Sequence, residues 1–203
     1  MTYEFDHLVI TADTLENGVV WAEEHLGVPL QDGGKHARYG THNALLGLAD
    51  GLYLEVIAVD PEAEPPSGPR LFGLDTFNGP PRLETWVCRA SGLADLALPK
   101  GFERVVLLTR GTLSWDMAEA TGGMLPFGQC HPGLIDWGTT PHPAASLSSS
   151  GLKLLNLTLA HPDVTGLKAA LEPLEDARVC TEKADVPLVS AEFETADGRK
   201  ITL

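Results

Sequence analysis

The chain has 203 residues, 43% of them hydrophobic and 21% charged, enough for one sizeable domain or two small ones with a real core. Its 28 Asp and Glu outweigh 14 Lys and Arg, a formal charge of −14. That balance argues against nucleic acid, whose phosphates are held mainly by Lys and Arg, and against docking on anionic lipid.

No stretch approaches the roughly 20 apolar residues that span a bilayer. Residues 1–7 carry Glu4 and Asp6 and lack the basic-then-apolar form of an export signal, so the expected location is cytoplasmic. Cys88, Cys130 and Cys180 are widely spaced and odd in number, which suits a reducing compartment.

Three segments share one rhythm: a short apolar strand, a polar turn and an amphipathic helix. The first runs from Asp6 to Asp13, with a helix predicted over Leu15 to Leu26. Asp13 or Thr14 is placed to cap it, and Gly27 to stop it. Two apolar runs follow, Ala44 to Leu48 and Leu52 to Val59. Asp50-Gly51 between them is a hairpin signal, because Gly tolerates the positive φ of the turn. Residues 60–69 are dense in proline and read as an extended linker.

The second segment is Thr85 to Ala90, with a helix predicted over Leu93 to Leu98. Strands are predicted at Arg104 to Leu108 and Thr112 to Met117, around Arg110-Gly111. A Pro-, Ser- and Gly-rich stretch runs from Trp137 through Ser150, and His131 and His142, each beside proline in an irregular segment, are expected to be solvent-exposed. The third segment, Asn156 to Asp163, precedes a helix over Val164 to Leu174 capped by Asp163 or Thr165. It closes on Leu188 to Thr195 and Arg199 to Leu203, around Asp197-Gly198.

Each unit reads β-α-β-β-β. The expected division is a first module over 1–60, a linker over 61–82, a second module over 83–140, a loop over 141–152 and a third module over 153–203, all in one compact unit. The repeat spacing of about 70 to 80 residues is too long for a solenoid. No Gly-x-Ser-x-Gly elbow and no phosphate-binding glycine motif is present.

The order of Asp6-His7-Leu8-Val9-Ile10, Gly40-Thr41-His42-Asn43, Tyr53-Leu54-Glu55-Val56-Ile57, Leu125-Pro126-Phe127, Ile135-Asp136-Trp137 and the terminal Asp197-Gly198 hairpin resembles the vicinal oxygen chelate superfamily. That group includes glyoxalase I, bleomycin-resistance proteins, extradiol dioxygenases and methylmalonyl-CoA epimerase. Its glyoxalase-like domain proteins look most similar. The resemblance implies an α+β fold in which repeated βαβββ modules form strongly curved mixed sheets, a half-barrel with helices on the convex side. The first module is then expected to pair with the second or third, leaving one module to pack at the side or to mediate a homodimer.

The same resemblance places a divalent metal (Fe, Mn, Ni, Zn or Co) on the concave face. His7 and Glu55 fall where ligands sit, and Asp136 or another histidine is needed to complete the incomplete set. The corresponding places hold Asn156 and Thr202 in the third unit, and roughly Thr85 and Asp136 in the middle one. Imidazole plus carboxylate suits a Lewis-acid metal that chelates vicinal oxygens. Glu55 is also the candidate general base. Arg38, His42 and Asn43 are candidate ligand-binding groups at the barrel mouth, and Trp86, Trp115 and Trp137 candidate pocket walls.

Three functions follow as expectations. The first is a metal-assisted lyase, isomerase or dioxygenase acting on a small oxygenated substrate. The second is a metal-free protein that sequesters a small molecule, as bleomycin-resistance proteins do. The third is a non-catalytic dimerisation module.

Overall fold

The computed structural model describes residues 2–203. The first unit comprises β1 (Glu4–Thr11), α1 (Leu15–Leu26), β2 (Gln31–His36), β3 (Thr41–Gly47) and β4 (Tyr53–Val59). Of the two candidate caps, Thr14 serves: its side chain accepts the Asn17 N–H, and Gly27 ends the helix at φ 72°. Left-handed backbone at a helix end costs glycine nothing, because it has no Cβ to collide with the next carbonyl. The second unit comprises β5 (Arg82–Arg89), β6 (Phe102–Arg110), β7 (Leu113–Ala120) and β8 (Gly133–Asp136).

These eight strands form one sheet in the order β2-β3-β4-β1-β5-β8-β7-β6. Each half repeats the same pairing, and the halves join where β1 runs antiparallel to β5. The first module therefore pairs with the second. The sheet curls until its outer strands approach: a Cβ built on Gly34 of β2 would lie 2.8 Å from Arg110 Cδ of β6. Arg38, in the β2–β3 turn, reaches Glu119 of β7 at 2.9 Å.

One predicted element is missing. Residues 93–98 are not a helix; only a single 3-10 turn forms at Leu93–Asp95. Gly92 enters it in the left-handed region and Leu96 leaves it extended, and Pro99 follows at once, which no helix would absorb. The second half of the sheet thus lacks the helix that covers the first half's convex face.

The third unit fills that place. It comprises β9 (Lys153–His161), α2 (Val164–Ala170), β10 (Val179–Lys183), β11 (Leu188–Glu194) and β12 (Lys200–Thr202). Its element order matches the first unit, but its strand order, β10-β9-β11-β12, does not. Here the first strand pairs in parallel with the second strand, where β1 pairs in parallel with the fourth. Leu154, Leu157, Leu159, Ala191 and Phe193 share one core with Phe5, Leu8, Trp86 and Cys88. The third unit packs on the convex side of β1 and β5, where the shortened second module leaves apolar surface open. No helix among the described residues is long and apolar enough to cross a membrane.

Two histidines expected to be solvent-exposed are instead drawn inward, His131 fully and His142 in part. His131 is 1% exposed, set between the rings of Tyr3 from the first unit and Phe102 from the second. His142 is folded inward by the 141–152 loop, which returns to the first module through Gln31–Ser148 and Ser150–Gly47 hydrogen bonds.

Candidate functional site

Strand alternation sorts the sheet's side chains. On β4, Leu54 and Val56 join the convex core, while Tyr53, Glu55 and Ile57 line a cleft on the concave face. The cleft encloses about 550 Å³, mouth included, and His7 is among its wall residues. Its walls are largely aromatic and apolar, with Tyr39, Tyr53, Phe72, Trp115 and Trp137 among them. Phe72 comes from the segment expected to be a plain linker. It sits in a turn with φ 57° and ψ 27°, a left-handed conformation that costs a β-carbon-bearing residue about 1 kcal/mol or more. Burial of its ring in the cleft wall holds it there.

The polar floor is a connected network. His7 donates from Nδ1 to Asp6 Oδ1 at 2.6 Å, and its Nε2 lies 3.6 Å from Glu55 Oε2. Asn43 donates to Glu55 Oε1 at 2.6 Å and accepts the Gly34 N–H at 2.7 Å. Arg110 donates to His36 Nε2 at 3.2 Å, and His36 Nδ1 lies 3.1 Å from Thr41 Oγ1. Asp6, fully buried, also accepts the Trp137 indole N–H at 3.0 Å and lies 3.0 Å from His142 Nε2. The His7 ring stacks on Tyr53 at 4.3 Å.

These contacts set the charges. Burial opposes the charged form of His7, but the hydrogen bonds and charges of Asp6 and Glu55 outweigh it and raise its pKa to about 9. Burial likewise opposes ionised Glu55 and Asp6, yet histidine contacts hold both below the usual carboxylate range. His36 goes the other way. Burial lowers it, and nearby Arg110 and His7 add to the effect. It is a neutral imidazole accepting on Nε2.

The structure brings His7, Glu55, Asn43, Trp115 and Trp137 together in the cleft. It does not bring Asp136, His42, Trp86 or Arg38 to it. Asp136 follows Ile135 on β8, so it points to the convex side and accepts the backbone N–H groups of Gly92 and Leu93. His42 alternates with Asn43 and faces a shallow groove beside α1. Trp86 is wholly buried in the convex core and donates to the Cys130 carbonyl at 3.0 Å. Arg38 lies outside the cleft, on the rim, paired with Glu119.

Residues not anticipated from sequence are Asp6, His36, Tyr53, Arg110 and His142. His36 and Arg110 carried one signal, as single polar residues ending strands that the hairpin turns define.

A divalent metal, which the resemblance implied, requires ligands from both halves. The register locates them. Val9 pairs with Glu55 and Val87 with Gly133. The strands end alike, the Ala12 N–H donating to the Ile57 carbonyl and the Ala90 N–H to the Ile135 carbonyl. Thr85 and Gly133 thus stand at the places of His7 and Glu55. The second half therefore offers Thr85, whose hydroxyl donates to the Gln129 carbonyl, and Gly133, which has no side chain, and neither supplies a metal ligand. In the first half, the Asn43 amide lies between Glu55 and His36, and Arg110 of the second half donates to His36. No three His, Cys, Asp or Glu side chains converge as ligands among the described residues. Structural and catalytic transition-metal sites usually draw three or four protein ligands, and this donor set does not fit one.

A family model described as "Glyoxalase-like domain" matches residues 5–175. No functionally curated protein matches the chain. Among solved structures, a hypothetical protein from Staphylococcus aureus aligns with TM-score 0.64 at 13% identity, covering 92% of this chain and 88% of that one. Methylmalonyl-CoA epimerase from Mycobacterium tuberculosis aligns with TM-score 0.41 at 18% identity, covering 70% of this chain and 91% of that one.

Proposed function

Because the chain belongs to the glyoxalase-like domain family, we propose that its half-barrel cleft binds a small organic molecule and does so without a protein-held metal ion. The observation that supports this reading is that His7 and Glu55, on one wall of the cleft, have Thr85 and Gly133 at the equivalent places of the other half. An aromatic cleft with a few fixed polar groups is the form that small-ligand sites take.

Binding is favoured over proton-transfer catalysis by the charges. A general base works best with a pKa near the working pH. Glu55 is instead held below the ordinary carboxylate range by its pairing with cationic His7, which makes it a good acceptor for a ligand hydroxyl and a weak base. His7, with both ring nitrogens directed at carboxylates, fixes Glu55 and adds no free donor.

A second reading, metal-assisted lyase, isomerase or dioxygenase chemistry, is supported by the convergence of His7 and Glu55 alone. Metal analysis of untagged protein purified without chelator separates the two, with His7→Ala and Glu55→Ala alongside. The binding reading expects substoichiometric metal that neither substitution changes. Near-stoichiometric metal lost in both variants would overturn it in favour of the enzyme.

A further inference from the structure

Arg110 is the one arginine in the wall of the cleft. No Asp or Glu lies within ion-pair distance of it among the described residues, whereas Arg38, Arg70, Arg82, Arg89, Arg104 and Arg178 each have such a partner. Its guanidinium lies 5.8 Å from the Trp115 ring centre, and its one side-chain hydrogen bond is the donation to neutral His36. A guanidinium carries five N–H donors in a planar fork. His36 uses one, and the close approach of Gly34 to the Arg110 stem restricts the arm.

A charged group held half-buried on an aromatic wall without a counter-ion is ready for an anion. The planar fork matches a carboxylate bidentately, and the flat walls of Trp115 and Trp137 suit a conjugated ring. Glu55 lies farther along the same network, beyond His36 and Asn43. Its charge repels an acid group and accepts from a hydroxyl.

Resting on the small-molecule reading above, we propose that Arg110 is a carboxylate anchor and that the cleft takes planar organic acids carrying a hydroxyl at the end remote from the acid. Arg110 sets the class by charge, and Glu55 sets the orientation by accepting the hydroxyl proton in a hydrogen bond.

The test uses the full chain and three probes: 6-hydroxy-2-naphthoate, its neutral carboxamide and 2-naphthoate. Affinities come from calorimetric titration, and the tryptophan indole N–H resonances give the location. The hydroxy acid is expected to bind at least tenfold tighter than the carboxamide and several-fold tighter than 2-naphthoate, shifting the signals of Trp115 and Trp137. Arg110→Gln should bring the acid to the level of the carboxamide, and Arg110→Lys should fall between. Arg199→Gln, in the exposed turn of the third unit, should change nothing, and circular dichroism checks that each variant is folded.

Equal affinity for acid and carboxamide, or an Arg110→Gln protein that keeps the acid's affinity, would overturn the anchor. If the carboxamide then still binds and Trp115→Ala abolishes it, the small-molecule pocket stands without the anchor. If no probe binds, both proposals fall.

Discussion

Asp6 and His7 are consecutive on a strand, yet they share a 2.6 Å hydrogen bond on the same side of the sheet. Alternation should separate them. A register shift between Phe5 and His7 in the pairing with β5 leaves Asp6 as the extra residue of a β-bulge, and the bulge turns its carboxylate toward the cleft. Phe5 and Leu8 on either side stay in the convex core.

The pH dependence of stability follows from this pair. His7 titrates at about 9 when folded against an ordinary 6.5, so its contribution is complete below pH 6.5 and is lost as pH rises through about 9. The difference is worth on the order of 3 kcal/mol. Asp6 and Glu55, both lowered, contribute above their ordinary values and lose that contribution in acid. Thermal midpoints should therefore peak between the carboxylate range and pH 6.5 and fall on the alkaline side. Asp6→Asn should flatten the alkaline limb and cost about 3–5 kcal/mol, because it leaves a buried cation short of its partner. A midpoint unchanged from pH 6 to 9.5 in the wild type would contradict the assignment.

Gly18 lies at the end of the first turn of α1, where alanine normally gains up to about 1 kcal/mol of helix propensity. Here an added Cβ would stand 2.6 Å from Val56 Cγ1 and 2.7 Å from Ala12 Cβ. Overpacking of that kind costs about 1–3 kcal/mol, so the clash wins. Chemical denaturation of Gly18→Ala should show net destabilisation.

The third unit acts as a cover for the second module. Phe193, wholly buried in the shared core, should cost about 3–5 kcal/mol when replaced by alanine. A chain ended at residue 150 exposes Trp86 and Cys88 of β5 and is expected to aggregate in size-exclusion chromatography. A monodisperse, folded fragment 1–150 would show that the cover is dispensable.

Tryptophan substitutions should separate core from cleft. Trp86→Phe leaves the buried Cys130 carbonyl without its donor and should cost about 1–3 kcal/mol, with ligand affinity unchanged. Trp115→Ala should weaken the binding of an aromatic probe by tenfold or more. Paired denaturation and titration experiments on the two variants check both halves.

Much of this architecture is legible in the chain because it rests on local rules. The Asp50-Gly51, Arg110-Gly111 and Asp197-Gly198 turns all separate antiparallel strands as expected, since positive φ at a hairpin is a property of a few residues. The α1 span agrees with its periodicity and its Thr14 and Gly27 ends. Alternation also sets Asn43 and His42, and Ile135 and Asp136, on opposite faces, because adjacent residues of a strand without a bulge cannot both face the cleft.

Tertiary structure decided the rest. Which module pairs with the first depends on the β1–β5 edge contact, a long-range choice that no local signal carries. The third unit has the element order of the first, but its different strand order and its place on the convex face follow from apolar area that the second unit's missing helix leaves uncovered. Asp6 reached the cleft through a bulge, and His36, Arg110 and His142 reached it through the curl of the sheet and the return of the 141–152 loop. Sequence determines which residues alternate and where the chain turns, because those depend on neighbours. It leaves open which faces meet, because that depends on the surface each element must bury.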